Sequence, residues 1–334
     1  MPSKAVRGLS RGLGVLGWLR CLLPRIATVW VTPGRAGDRR TVHDDIVAGA
    51  AVVAGGGREW SRMLRDPCLP GVEVLQAHYV RYRYAPHWHE AVCVAVVGDG
   101  AAAFDCGGAE HVAPVGSVFV IPAFELHTGE PAARAGLGYR VLYAAPDRLG
   151  DLLYDTGLPG NAGLSSRSRR DVVRRRAAAT GPLLRFHRAM AGPASPLERE
   201  QALLGAVVCV AAEFGAVRRD YGVPHEHRAV RRAREYLDAD PAGAVTLREL
   251  AEVSGLSMYR LARTFKAEVG LAPHAYQVQL RVLLAKRLLA AGYGIAEAAA
   301  ECGFYDQAHL TDRFKRHVGV TPGVYTRGMI GRSG

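Results

Sequence analysis

The sequence predicts an α+β multidomain chain: a β-barrel of jelly-roll type, a helical region, and an all-α domain of two helix-turn-helix units. Three observations carry this prediction. Residues 247–276 and 295–325 repeat one set of offsets, residues 72–143 break into short strands punctuated by Gly and Pro, and residues 197–214 carry a helical apolar stripe. The divisions expected are an extension (1–62), the barrel (63–146), a helical linker or dimerisation region (147–224) and the repeat domain (225–330). At 334 residues the chain is long enough for more than one core, and its 49% apolar content is that of a globular protein. No apolar run reaches the length of a membrane span.

The net charge of +12 is unevenly placed. Residues 1–62 hold ten Lys and Arg against four acids, 63–224 seventeen against sixteen, and 225–334 sixteen against eleven. A basic repeat domain beside a near-neutral barrel points to a nucleic-acid partner. The six cysteines (Cys21, Cys68, Cys93, Cys106, Cys209, Cys302) are scattered, with no paired C-x-x-C, which argues against a disulfide framework or zinc finger and for a cytoplasmic protein.

In chain order, residues 1–62 carry Lys4, Arg7 and Arg11 ahead of an apolar stretch that Arg20, Pro24 and Arg25 interrupt. This segment is expected to be disordered or to precede a true start at Met63. From 72 onward the strand pattern begins, with an apolar run at 91–97, a hairpin turn signal at Gly98-Asp99-Gly100, a second at Gly107-Gly108, and further strands at 118–121 and 139–143. Residues 197–218 read as a helix with Leu203, Val207, Val210 and Phe214 on one side, bounded by Pro193 and Pro196 before and Gly222 and Pro224 after. That stripe serves either a dimer or the barrel's own core. The arginines Arg167, Arg169, Arg170, Arg174, Arg175 and Arg176 read as a solvated face or linker.

Each repeat has its own local logic. Thr246 followed by Glu249 is a capping box, Gly255 supplies the positive φ of a tight turn, and Ser257 caps a second helix. Ala251 is small enough to let the two helices cross. Residues 295–316 repeat the arrangement through Ala299, Gly303 and Asp306. Between the copies, 273–291 reads as one helix with Tyr276, Leu280, Leu283, Leu284 and Leu288 buried, stopped by Gly292. Such a helix is about 27 Å long, against roughly 34 Å for a turn of DNA, so it can set two reading helices in successive major grooves.

This constellation resembles the C-terminal DNA-binding domain of the AraC/XylS family of bacterial transcriptional regulators. Gly303, Phe304, Asp306, Gln307, Ala308, His309, Leu310, Arg313, Phe314, Gly319, Pro322 and Tyr325 carry the likeness. The resemblance implies reading helices at 257–266 and 306–315, with Ser257, Tyr259, Arg260 and Arg263 in the first and Asp306, Gln307, Ala308, His309 and Asp312 in the second. Arg263 suits a guanine edge and Gln307 an adenine edge. Lys266, Lys315 and Arg316 suit phosphate. Two departures stand out: Tyr305 replaces the Ser common there, which passes the cap to Asp306, and Asp312 opposes phosphate.

The β region resembles the cupin-like N-terminal domain of the same family, through Pro86, His87, Trp88, His89, Glu90, Gly116, Pro122 and His127. Strand alternation places His87, His89 and Cys93 on one face. The resemblance implies an effector pocket lined by His87, Trp88, His89 and His127, with Phe104 and Phe119 as pocket or core. A divalent metal on His87, His89 and His127 is the alternative; no cofactor is otherwise expected, and the metal-site Glu of cupins is absent. The implied protein is a dimeric, non-enzymatic regulator, more often an activator, whose partners are double-stranded promoter DNA, a small-molecule effector and RNA polymerase, with no membrane. The competing readings are a metal-responsive regulator and a cupin enzyme fused to a DNA-binding domain.

Overall fold

The computed structural model describes residues 58–154, 162–164, 172–214, 216–218 and 228–329. The expectations for residues 1–57, for Arg167, Arg169 and Arg170, and for the break at Gly222 and Pro224 lie outside the described residues. The barrel uses β1 (Trp60–Arg65), β2 (Val72–Tyr79), β3 (Tyr84–His87), β4 (Val92–Cys106), β5 (Ala109–Pro114), β6 (Ser117–Ile121), β7 (His127–Pro131) and β8 (Leu137–Ala144). A later strand, β10 (Val173–Arg175), adds to the edge at β6 and takes Arg174 and Arg175 into the sheet. The antiparallel order is β1-β2-β8-β4-β6-β10, with β5 and β7 on the far half of β4 and β3 on β7.

Strand β4 is the hub, and here the sequence expectation needs correcting. Gly98-Asp99-Gly100 is not a hairpin turn but an irregularity within one 15-residue strand, where the register against β8 shifts between Val97 and Asp99. The first half of β4 pairs β6 and β8, and the second pairs β5 and β7. Gly100 sits at φ 67°, and a Cβ there would fall 1.9 Å from the Gly136 carbonyl oxygen. Turn-type residues inside a strand thus mark a corner where the sheet folds over. The barrel also begins before the expected boundary at Met63. Strand β1 starts at Trp60, and the Glu59 carboxylate accepts the backbone N–H groups of Val80, Arg81 and Tyr82 at 2.9, 2.6 and 2.7 Å.

Both faces of the main sheet are buried. Leu75, Ala95, Val97, Phe119 and Val141 face the barrel interior. Val74, Val94, Val96, Val118, Val120 and Leu142 face three helices, α1 (Pro146–Tyr154), α2 (Thr180–Ala191) and α3 (Pro196–Phe214). This explains the unalternated apolar run in β4. The α3 stripe of Leu203, Val207, Val210 and Phe214 is spent in this outer cluster, so α1, α2 and α3 pack with the barrel. Each such side chain contributes roughly 1.5–3 kcal/mol on burial. Helix α3 also ends at Phe214, short of the expected 218; strands β9 (Ala162–Leu164) and β11 (Ala216–Arg218) pair beside it.

The C-terminal region contains α4 (Arg228–Ala239), α5 (Leu247–Ser254), α6 (Met258–Val269), α7 (Pro273–Ala290), α8 (Ile295–Glu301), α9 (Gln307–Val318) and α10 (Pro322–Arg327). Val230, Leu237, Leu250, Leu261, Phe265 and Tyr276 form the core of the first unit. In the second, Ala298, Ala299, Cys302, Phe304, Leu310, Phe314 and Tyr325 join one cluster with the barrel interior. Helix α7 runs 18 residues and is buried on more than the one side expected. Gln277, Gln279, Val282, Ala285 and Leu289 are enclosed, while Leu280, Leu284 and Leu288 are half-buried, because the barrel packs on this helix as well as the two units. No helix among the described residues is long and apolar enough to cross a membrane.

Candidate nucleic-acid interface and effector site

In the first unit the capping box forms: Thr246 Oγ1 accepts from the Glu249 N–H at 3.2 Å, and Glu249 Oε2 accepts from the Thr246 N–H at 2.7 Å. Gly255 takes φ 73° and its N–H bonds the Ala251 carbonyl at 2.9 Å. Ser257 Oγ accepts from the Arg260 N–H at 3.4 Å, so its hydroxyl serves first as the cap of α6. Leu261 and Phe265 anchor α6 in the core, leaving Tyr259, Arg260, Arg263 and Lys266 exposed. Arg263 donates to Tyr259 Oη at 3.2 Å and its guanidinium lies 5.5 Å from that ring's centroid. The side chain proposed to meet a guanine is therefore braced by its neighbour one helical turn away.

The second unit repeats the scaffold with a different surface. Asp306 Oδ1 accepts from the His309 N–H at 2.7 Å and caps α9, as the loss of Ser at 305 implied. Gln307, Ala308, Asp312, Lys315 and Arg316 are exposed. His309 is half-buried, its ring edge-on to Phe304 at 5.3 Å and in reach of Arg313 Nε at 3.4 Å. Arg316 Nε donates to Asp312 Oδ1 at 3.0 Å, so the acid that opposes phosphate also takes up a phosphate-type cation.

What the sequence did not reveal is that the barrel grips α9. Tyr79 Oη donates to the Gly319 carbonyl at 2.5 Å, and Tyr82 Oη donates to the Lys315 carbonyl. These are carbonyls of the last helical turn and its cap; the Lys315 carbonyl also accepts the Gly319 N–H at 2.8 Å, so Tyr82 takes up its second lone pair. Lys315 Nζ also stands 5.7 Å from the Tyr82 ring centroid. Nearby, Glu73 of β2 accepts from Lys286 Nζ and from Tyr325 Oη, both at 2.6 Å. Burial would raise the Glu73 carboxyl, but the Lys286 charge and these hydrogen bonds hold it below the ordinary carboxylate value. Arg65 completes the seam by donating to the Tyr325 carbonyl at 2.8 Å. The available signal was the tyrosine density at Tyr79, Tyr82 and Tyr84, which strand patterning alone treats as core.

The three barrel histidines come together, although not as one strand face. The chain leaves β3 after His87, which pairs across the ladder with His127, and Cys93 lies apart in β4. Ring centroids are 4.2 Å apart for His87 and His127, 4.8 Å for His89 and His127, and 6.1 Å for His87 and His89. Each Nδ1 donates to a backbone carbonyl, of Ala85 (2.8 Å), Ala91 (2.5 Å) and Glu125 (2.8 Å), which leaves Nε2 as the unprotonated nitrogen. Burial, reinforced by the neighbouring imidazoles, pushes His87 and His89 well below the ordinary value, and burial brings His127 to about 4. The cluster is therefore neutral at pH 7. Tyr84 stacks on His87 at 5.2 Å, Tyr143 meets His89 edge-on at 5.2 Å, and His317 of α9 meets His87 edge-on at 6.4 Å.

One expected role changes, and one alternative is decided. Trp88 does not line this cluster: its carbonyl accepts from Gln279 Nε2 at 2.9 Å and its ring lies against Tyr276 at 5.1 Å, so it joins the barrel to α7. Phe104 and Phe119 stack on each other at 4.7 Å as core. Among the described residues no set of three or more His, Cys, Asp or Glu side chains is arranged to hold a metal ion.

Residues 69–207 match the model of the AraC-like ligand binding domain, and residues 250–328 match a helix-turn-helix domain model. Together they account for well over half the chain. This chain belongs to the AraC family of transcriptional regulators. The first model runs through α1 and α2 and into α3, in keeping with their packing on the barrel. The chain is 26% identical over 245 residues to the uncharacterized HTH-type transcriptional regulator YbfI of Bacillus subtilis, covering 73% of this chain and 87% of that one. It is 36% identical over 104 residues to the HTH-type transcriptional regulator RipA of Corynebacterium glutamicum, covering 31% of each. ToxT from Vibrio cholerae O395 matches over 82% of this chain and 98% of its own, at 11% identity and a TM-score of 0.44. The AraC-family protein is thus a DNA-binding, non-enzymatic regulator with an N-terminal ligand-binding domain.

Proposed function

We propose that a small, uncharged effector binds at the His87, His89 and His127 cluster and changes how the barrel holds α9, and so how the two units engage promoter DNA. The supporting observation is the pair of tyrosine hydroxyls, Tyr79 and Tyr82, on the last carbonyls of a reading helix, in the same ring cluster that continues through Tyr84 to His87. The cluster offers neutral imidazoles and phenols, which favour a hydrogen-bonding ligand over an ion, and no metal is needed. A ligand can shift the equilibrium only by its differential affinity for the docked and released states.

In this reading Tyr259, Arg260, Arg263, Gln307, Ala308 and His309 face bases, and Lys266, Lys315 and Arg316 face phosphate. The protein acts in the cytoplasm as an activator that contacts RNA polymerase, and it works as a homodimer. The dimer is supported by the far side of α3, where Leu197 and Leu204 are 64% and 39% exposed one heptad apart, with the exposed Gln201 between them. The test is a duplex-binding titration of the full chain against Tyr82→Phe, in a thermal-shift panel of neutral metabolites. We expect Tyr82→Phe to alter DNA affinity before any ligand is added, and His89→Ala to abolish the response to a hit. A ligand response that survives both substitutions would refute the proposal.

A further inference from the structure

The caps allow the two units to be aligned residue by residue. Ser257 and Asp306 cap the reading helices, and Gly270 and Gly319 end them at the same spacing, both at positive φ. Upstream, the Leu256 N–H bonds the Ala251 carbonyl at 3.1 Å and the Phe304 N–H bonds the Ala299 carbonyl at 2.9 Å, which makes Leu256 and Phe304 equivalent. Between that point and the cap the first unit has nothing, and the second has Tyr305. Tyr305 is therefore a one-residue insertion, at the end of the helix that a helix-turn-helix directs into the groove.

Its surroundings fix where it points. On one side Phe304 is buried, on the other Asp306 is tied to the His309 N–H at 2.7 Å, and Tyr305 itself is 92% exposed. Folding gains nothing from that ring. The start of α9 behind it carries no exposed cation in the places where the first unit has two. At the places of Arg260 and Arg263 the second unit has His309, turned onto Phe304, and Asp312, paired with Arg316. The Asp306 carboxylate takes up N-terminal N–H capacity of α9, which leaves the helix end less able to receive a phosphate.

We infer that Tyr305 is a DNA-backbone contact of the second unit, its hydroxyl donating to a phosphate oxygen and setting the depth of α9 in the groove. The assignment rests on α9 being a DNA-entering helix. A phosphate contact from a neutral donor has a distinct signature. It carries no base information, and it displaces no counterion, so affinity falls while the salt dependence keeps its slope.

The experiment titrates the full chain on a duplex that the wild-type protein selects from a random-sequence pool, across a salt series. Tyr305→Phe and Tyr305→Ala should each weaken binding roughly tenfold, with unchanged slope, base preferences and melting temperature. Wild-type binding by Tyr305→Phe with loss in Tyr305→Ala would overturn the hydroxyl contact in favour of ring packing. Wild-type binding by both would overturn the assignment outright. Lys315→Gln, run in parallel, should lower the salt slope by about 1. If it also has no effect, the placement of α9 on DNA fails first; if only the Tyr305 variants are silent, the Tyr305 contact alone fails.

Discussion

The two helix-turn-helix units share caps, turn glycines and core positions, yet they live in different surroundings. The first has a core of its own, built from α4, α5, α6 and α7, to which, among the described residues, the barrel adds Trp88 and Leu126 at the margin. The second shares one apolar cluster with the barrel interior, and its reading helix is held by Tyr79 and Tyr82. The surfaces differ in the same sense. Unit one presents Arg260, Arg263 and Lys266 without an acid on the exposed stripe, whereas unit two spends Arg316 on Asp312 and Lys315 on Tyr82. On the proposed function, both copies meet DNA, and only the second also carries the barrel's grip.

The largest effect is expected where the barrel meets α7. Lys286→Met leaves the mostly buried Glu73 carboxylate without its cation, a loss of about 3–5 kcal/mol, or a fall in melting temperature on the order of 10 °C by calorimetry. The pH dependence has a definite sign. Since Glu73 is held below its ordinary value, its stabilisation is present above pH 4.5 and is lost as the pH falls through its folded value. Lys286→Met should therefore move acid unfolding, followed by circular dichroism, to higher pH; an unchanged acid transition breaks the view that this seam fastens unit two.

Next come the paired helix-end glycines. A Cβ at Gly319 would lie 2.1 Å from Tyr84 Oη and 3.0 Å from Tyr79 Oη, whereas one at Gly270 meets only the tip of Leu126 at 2.3 Å. Both substitutions carry the strain of positive φ, but rings packed in a cluster yield less than a leucine tip. Gly319→Ala should cost roughly 2 kcal/mol more than Gly270→Ala. Equal melting temperatures would remove the asymmetry between the units.

Arg263→Ala should relax base preference in one half of the site by about 1–3 kcal/mol, with stability unchanged, as read by selection from random duplexes. Retained preferences would shift the reading role away from unit one. The smallest effect belongs to Asp312→Asn, which frees Arg316. It should tighten DNA binding less than tenfold and steepen the salt dependence by about one counterion. A weaker complex would mean that the acid contacts a base.

Much of the reading domain was legible because its signals are local. Thr246 and Glu249, Gly255, Ser257 and Asp306 act within one helical turn of themselves, so spacing alone places them. The barrel was less legible. Gly98-Asp99-Gly100 carries turn residues, but whether they end a strand or bend it depends on Gly136, a neighbour far along the chain. The histidines were identifiable by type and motif, yet their convergence depends on the His87–His127 register. Trp88 looked like a pocket wall because nothing nearby in sequence announces Gln279 and Tyr276.

By itself, the sequence determined the repeat, its capping chemistry, the spacer helix and the pairing of a β domain with a DNA-reading domain. These follow from periodicity and from side chains bonding their own backbone. Only the tertiary structure decided that the α3 stripe closes the barrel's outer face, that Tyr79 and Tyr82 cap α9, and that Glu73 and Lys286 meet. All of them join residues distant in sequence, and no local energy term favours them until both surfaces are folded and water has left the space between them.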